Sequence, residues 1–182
     1  MDAEAPPVDP RASSPNEGNE RATPASPGVV LAATFTADPL CESLSLLLRE
    51  AGLASSVEVS PYGQLFQQLL DPSSGFALNR RGVNVVLVRL EDWWRGANGR
   101  VDLLAADRSV VERNTTDLAQ ALRTAAAAGA TPAVLCICPP SAAIAADDAT
   151  RAFLDAVAGR LQAAVADTSG IRVLPMQWAA TW

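Results

Sequence analysis

Residues 29–40 read VVLAATFTADPL, and the reading of this stretch decides the fold. Val29–Thr34 form a continuous apolar run bounded by turn residues, the pattern of a β-strand covered on both faces. A helical pattern follows at once: Leu40, Leu44, Leu47 and Leu48 recur at helical spacing, Asp38 and Pro39 suit a helix start, and Gly52 suits its stop. Strand, short loop and helix make the opening of a βαβ unit, whose ligands gather at the carboxyl ends of the strands. Thr36 stands in that loop as a nucleophile, a helix cap, or the remnant of a site that no longer works.

The same rhythm continues along the chain. SVEVS (56–60) alternates as a short strand, and PYGQLFQQLLDP (61–72) sets Tyr62, Leu65, Phe66, Leu69 and Leu70 on one helical face that Pro72 terminates. GVNVVLVRL (82–90) is the strongest strand, followed by a long Gly- and Trp-rich loop from Glu91 to Asp107. Residues 108–130 read as a helix ending near Gly129, 132–138 as a strand, 146–170 as a helix and 171–175 as a last strand. Five strands alternating with four helices predict a three-layer α/β domain: a mostly parallel, doubly wound sheet with helices on both faces and flavodoxin-like topology. Any site is then built from four segments at the strand ends: TFTADP, SPYGQ, RLEDWW and CPPS.

Composition excludes several kinds of chemistry. The chain has 182 residues, enough for one domain with a sizeable core, and its 14 basic residues are all arginine, so it contains neither lysine nor histidine. Without histidine there is no Ser-His-Asp or Cys-His arrangement and no imidazole metal ligand. Without lysine there is no Schiff base and no P-loop lysine. A net charge of −6 repels a phosphate backbone, so no nucleic-acid partner is expected. Cys41, Cys136 and Cys138 read as reduced cytosolic thiols; the Cys-x-Cys pair lies in an apolar strand with no second ligand pair, and buried filler is preferred over metal. No metal or other cofactor is expected. Asn114 begins an Asn-Thr-Thr string, read as part of a polar helix start in a chain without a secretory signal.

Residues 1–27 hold 6 of the 13 prolines and no aromatic residue, a composition unable to offset the entropy of ordering. They are expected to be a disordered tail or interdomain linker, with the α/β domain spanning 28–182. No basic and apolar leader and no long apolar window occurs, so the expected location is cytoplasmic, away from any membrane.

Three ordered blocks, ATFTADPL (33–40), VSPYGQLFQQLLDP (59–72) and NRRGVNVVLVRLEDWW (79–94), resemble the N-terminal domain of the FkbH-like proteins. Those proteins accompany polyketide synthases and nonribosomal peptide synthetases. The similarity is strong over about residues 29–95 and weak beyond. The resemblance implies an SGNH-like α/β domain that is normally joined to a HAD-superfamily domain carrying an Asp-x-Asp-x-Thr motif. No Asp-x-Asp string occurs in this sequence, so the chain is expected to be the accessory half without the catalytic half. The partners implied are an acyl or peptidyl carrier protein, or a neighbouring synthase or HAD domain.

In the SGNH pattern a serine follows the first strand, an asparagine follows the third, and a histidine near the C-terminus is the base. Here Thr34–Thr36 occupy the first block and Leu90–Asp92 the third, and the last has no counterpart. A hydroxyl needs a positioned base, and an ordinary carboxylate accepts its proton poorly, so Thr36 with Glu91 or Asp92 is the minor, esterase or acyl-transferase reading. The plainer one has Thr36 or Asp38 capping the first helix and Thr34 bonding the strand edge.

The remaining candidates are binding residues. Tyr62 and Gln64, with Phe66, Gln67 and Gln68, form either a docking surface or an amphipathic helix start. Asn79, Arg80 and Arg81 form either a clamp for a phosphopantetheine phosphate or a carrier protein's acidic face, or simple capping and solvation. Trp93 and Trp94 beside Glu91 and Asp92 form either a contact surface or loop packing. The expected function is non-catalytic docking in polyketide or nonribosomal peptide biosynthesis. The esterase reading is the alternative, and a truncated piece of a longer gene product is a third.

Overall fold

The computed structural model describes residues 28–53, 55–94, 107–129 and 131–174. The expected disordered tail or linker at 1–27, residues 95–106 of the expected loop from Glu91 to Asp107, and residues 175–182 lie outside these residues. The elements run β1 (Gly28–Ala33), α1 (Leu40–Glu50), β2 (Ser56–Val59), α2 (Leu65–Leu70), α3 (Gly75–Leu78), β3 (Gly82–Val88), a 3-10 turn (Leu90–Trp94), α4 (Arg108–Ala127), β4 (Ala133–Ile137), α5 (Ala142–Ala145), α6 (Asp148–Val165) and β5 (Ile171–Leu174). Every strand pair is parallel, in the order β2-β1-β3-β4-β5. This is the flavodoxin-like order, with its switch point between β1 and β3.

The topology dictates how the helices are shared out. The step from β1 to β2 runs one way across the sheet and every later step runs the other, so right-handed crossovers set α1 on one face and the later helices on the opposite face. On that second face Val30, Ala32, Val86, Val88, Leu135 and Ile137 pack with Leu65, Leu69, Leu118, Leu122, Leu154, Leu161 and Val165 from α2, α4 and α6 in one core. On the first face a small cluster of Leu31, Ala33 and Ala37 lies beneath α1, with Phe35, Val59, Val85 and Leu87 partly buried around it.

Two helices bury faces other than those expected. In α1 no residue is fully buried; Cys41, Leu44, Ser45 and Leu48 are half-buried, whereas Leu40 and Leu47 are exposed. The helix rests on the edge strand β2, and the Cys41 thiol donates to the Val57 carbonyl at 3.5 Å. In α2 the buried residues are Leu65, Gln68 and Leu69, while Tyr62 and Leu70 are exposed. The helix is only six residues long, so Tyr62 precedes it; Pro72 forces Asp71 out of the helical region and ends it. The expected side-chain cap on α1 is also absent: its N-cap is Pro39, without a side-chain hydrogen bond.

The longer helices have acidic caps. Asp107 accepts from the Ser109 N–H at 2.8 Å and Asp147 from the Thr150 N–H at 2.7 Å. Hydrogen bonds from the Thr150 hydroxyl and then its backbone N–H hold the Asp147 carboxyl below its ordinary value. Because the folded-state value is the lower one, this stabilisation is present above the unfolded value of about 4 and fades as the pH falls through the folded one.

At the amino edge, Gly28 and Gly82 are register partners, and Gly82 has φ +128°. A Cβ at Gly82 would run into the Gly28 carbonyl oxygen. Asn79 closes the same corner. Its side-chain N–H groups reach the Gly28 carbonyl at 3.2 Å, the Val83 carbonyl at 3.3 Å and Asn84 Oδ1 at 2.9 Å, and the Thr131 hydroxyl donates to its carbonyl. The buried Asn84 in turn donates to the Phe76 carbonyl at 3.1 Å.

Gly82→Ala is expected to destabilise the fold by about 2 kcal/mol or more in urea unfolding, since it adds both left-handed strain and a backbone collision. Asp147→Ala is expected to lower the melting temperature at neutral pH, with the gap to the parent narrowing below about pH 4.

Candidate functional site at the carboxyl edge

Thr34 leaves the end of β1 and Arg89 the end of β3, so the two meet across the switch point. The Thr34 hydroxyl accepts from the Arg89 backbone N–H at 2.9 Å and donates to Asp92 Oδ2 at 2.9 Å. The Arg89 guanidinium grips the same carboxylate through Nε, 3.1 and 3.2 Å from its two oxygens, and through Nη2 at 2.9 Å. An i, i+3 spacing on the 3-10 turn brings Asp92 back over Arg89. The two-point fork is the geometry in which arginine binds a carboxylate best.

Glu91 points the other way. It is fully buried, its Oε2 accepts from the Ser141 N–H at 2.8 Å, and its Oε1 lies 3.7 Å from Arg89 Nε. Asp92 thus ties the first loop to the third, and Glu91 ties the third to the fourth. Partial burial pulls the Arg89 guanidinium toward its neutral form; the hydrogen bond and charge of Asp92, then the charge of Glu91, more than offset that and raise its pKa. The guanidinium also lies 5.1 Å over the Phe35 ring, which closes the network toward the first loop.

Thr34, Glu91 and Asp92 are therefore brought together, and Thr34 bonds the strand edge as expected. Thr36 is exposed, and no hydrogen bond ties it to any described residue. Asp38 is exposed, and its backbone carbonyl accepts from Cys41 N–H. Tyr62 and Gln64 lie on the second loop, outside the Thr34–Arg89–Asp92 network; Tyr62 is exposed and Gln64 half-buried. Trp93 and Trp94 are half-buried against the main core, and Trp94 stacks on Phe153 at 5.6 Å while its indole N–H donates to the Asp107 carbonyl at 3.1 Å. Trp94 is thus committed to packing. Asn79 and Arg81 are at the opposite, amino edge, where Arg80 and Arg81 are exposed on an open groove of about 520 Å³ also lined by Ser56, Glu58 and Ser73.

Arg89 is the residue that sequence reading missed. Its signal is the string RLED, in which the arginine precedes the second carboxylate by three residues, one turn of helix. Ser141 gave no signal, because it contributes only a backbone N–H. Among the described residues no group of three or more His, Cys, Asp or Glu side chains is placed to hold a metal ion, and no helix is long and apolar enough to cross a membrane. A cavity lined by Leu90, Glu91, Cys138, Pro140 and Leu154 measures about 10 Å³, room for one water at most. No family model matches the chain, and neither does any curated protein.

Chemically the arrangement holds loops together. Its hydroxyl donates to a carboxylate already held by a guanidinium, so that carboxylate is engaged at Thr34 and Arg89, and among the described residues none of its hydrogen bonds reaches Thr36. Asp92→Asn is expected to destabilise the protein by about 2–3 kcal/mol in urea unfolding, less than for a wholly buried pair because Arg89 keeps some contact with water. Thr36→Val is expected to stay within about 0.5 kcal/mol of the parent.

Proposed function

We propose that this chain is a non-catalytic docking domain, similar to the N-terminal part of FkbH-like proteins, that serves polyketide or nonribosomal peptide biosynthesis by contacting an acyl or peptidyl carrier protein or a neighbouring synthase domain. The observation that supports the non-catalytic part is the Thr34–Asp92–Arg89 network: the Asp92 carboxylate is held by Arg89 and Thr34, and among the described residues no hydrogen bond joins it to Thr36. The biosynthetic setting rests on the three family-like blocks.

The docking surface on this reading is the amino-edge groove. Arg80 and Arg81 are adjacent and exposed there, in a groove also lined by Ser56, Ser73 and Glu58, and the two guanidiniums are donors suited to a phosphate or to an acidic protein face. The chain as a whole is acidic, with net charge −6, so an acidic partner is steered toward this local patch and away from the remainder.

The test is binding of the purified chain to holo carrier proteins encoded beside it, by calorimetry at low and raised salt. Binding in the micromolar range that weakens with salt and falls at least about 10-fold in Arg80→Glu/Arg81→Glu is expected; no association up to high micromolar concentration overturns the reading. In parallel, hydrolysis of p-nitrophenyl acetate is expected at the buffer rate, unchanged in Thr36→Val. Saturable turnover that disappears in that variant would establish the esterase reading in its place.

A further inference from the structure

Along α4 the residues turned to the core recur at helical spacing, and Val111, Thr115, Leu118 and Leu122 are buried. The next turn continues the stripe with Ala125 and Ala126, inside the run TAAAAG (124–129), so small side chains stand where leucines filled the turns before. Opposite them the short α2 and α3 bring up Leu69 and Phe76. Between these elements and the start of β5 lies a cavity of about 140 Å³, with Leu69, Phe76, Leu122, Ala125, Ala126 and Ile171 on its wall. That wall forgoes the packing contacts a filled space would supply. Leu70, Pro72, Thr124 and Ala128 also line the cavity and are exposed, so it opens to solvent on their side.

Polar side chains on this wall are already engaged. Asp71 accepts from the Ser73 N–H at 2.8 Å and from the Ser73 hydroxyl at 2.7 Å, Asn84 is held between Asn79 and the Phe76 carbonyl, and the Thr131 hydroxyl donates to the Asn79 carbonyl. Gln68 differs. It lines the cavity and is only 9% exposed, yet its Oε1 has no hydrogen-bond partner among the described residues. An unpaired buried carbonyl is costly, and the nearby Ser74 hydroxyl donates at 2.7 Å to the Gln68 backbone carbonyl instead. Oε1 lies under the first residue of α3, 3.4 Å from where a Cβ on Gly75 would stand. The terminal torsion of a glutamine is broad and two-fold, so the amide, with no hydrogen bond to Oε1, turns toward the cavity at little cost.

We propose that this cavity binds a small neutral ring compound carrying one hydroxyl group, of the size of phenol, and that the Gln68 amide is the hydrogen-bond partner of that hydroxyl. The size follows from the volume, since an apolar cavity of about 150 Å³ takes up benzene. Neutrality follows from the wall: it is mostly apolar, so a charge there would lose its hydration unpaired, and its one ionised group, Asp71, repels an anion. The hydroxyl follows from Gln68, because a hydroxyl both donates and accepts and so pairs with whichever end of the amide it meets. The cavity shares no lining residue with the Arg80 and Arg81 groove, so the two sites stand or fall separately.

The full chain is titrated with phenol and, separately, with benzene while its backbone amide shifts are followed by NMR, and urea unfolding is recorded for each variant. Phenol is expected to saturate a single site, with the largest shifts at Gln68, Phe76, Leu122 and Ala125, and to bind at least about 5-fold more tightly than benzene. Gln68→Leu is expected to erase that difference and to unfold at a urea concentration equal to or above the parent's, because it removes an unpaired buried amide. Ala125→Leu, or Ala126→Leu if the first does not fold, is expected to abolish binding of both compounds by extending the leucine stripe into the space. Absence of saturable shifts at millimolar phenol, equal affinity for the two compounds, a phenol preference that survives Gln68→Leu, or binding that survives the filling variants would each overturn the proposal. A lower urea midpoint in Gln68→Leu would overturn it too, by showing that the amide serves the fold.

Discussion

The fork between Arg89 and Asp92, closed onto the Thr34 hydroxyl, occupies the place where a flavodoxin-like sheet reverses its strand order between β1 and β3. In such sheets this is where two loops diverge and leave a crevice for a ligand. Here the loops are drawn together. The interaction is local on one side, being an i, i+3 pair between Arg89 and the 3-10 turn that follows it, and long-range on the other, where Thr34 and Asp92 are 58 residues apart. Glu91 extends the tie to Ser141 on the fourth loop. Among the described residues, the Asp92 carboxylate meets the Arg89 guanidinium and the Thr34 hydroxyl, and Glu91 meets the Ser141 backbone, contacts that position loops.

The same topology explains why the two faces of the sheet differ. Three of the four crossovers pass over one face and bury Val86, Val88, Leu135 and Ile137 almost completely. One crossover passes over the other, and α1 reaches β2 and the edge of β1. Val85, Leu87, Val134 and Cys136 on that face are half-buried, and Leu174 and Arg172 are exposed. Strands covered on two faces need apolar residues at successive positions, which GVNVVLV supplies; its one polar exception, Asn84, is held by Asn79 and Phe76.

Much of this was legible in the sequence because strand and helix periods differ and because the punctuation was strong. The run Val29–Ala33, the β-branched residues of β3, Pro72 after α2 and the glycines after α1 and α4 locate those elements to within a few residues. The short α3 and α5, four residues each, have too few positions to show a period. Burial on α1 and α2 was misjudged for a related reason. Leucine spacing tells that a helix has an apolar stripe, but whether Leu47 or Leu48 meets the sheet depends on where the helix crosses it. At the site, Thr34, Glu91 and Asp92 were visible by their place after strands, whereas Arg89 looked like the end of a strand. Only the turn that follows reveals it as the hub.

The absence of lysine and histidine shapes the electrostatics as much as the chemistry. Every side-chain cation is a guanidinium, which stays charged throughout the range a protein tolerates and prefers planar, two-point acceptors. The Arg89–Asp92 tie therefore has no cationic partner that titrates away on mild alkalinisation, and only protonation of its carboxylate can loosen it.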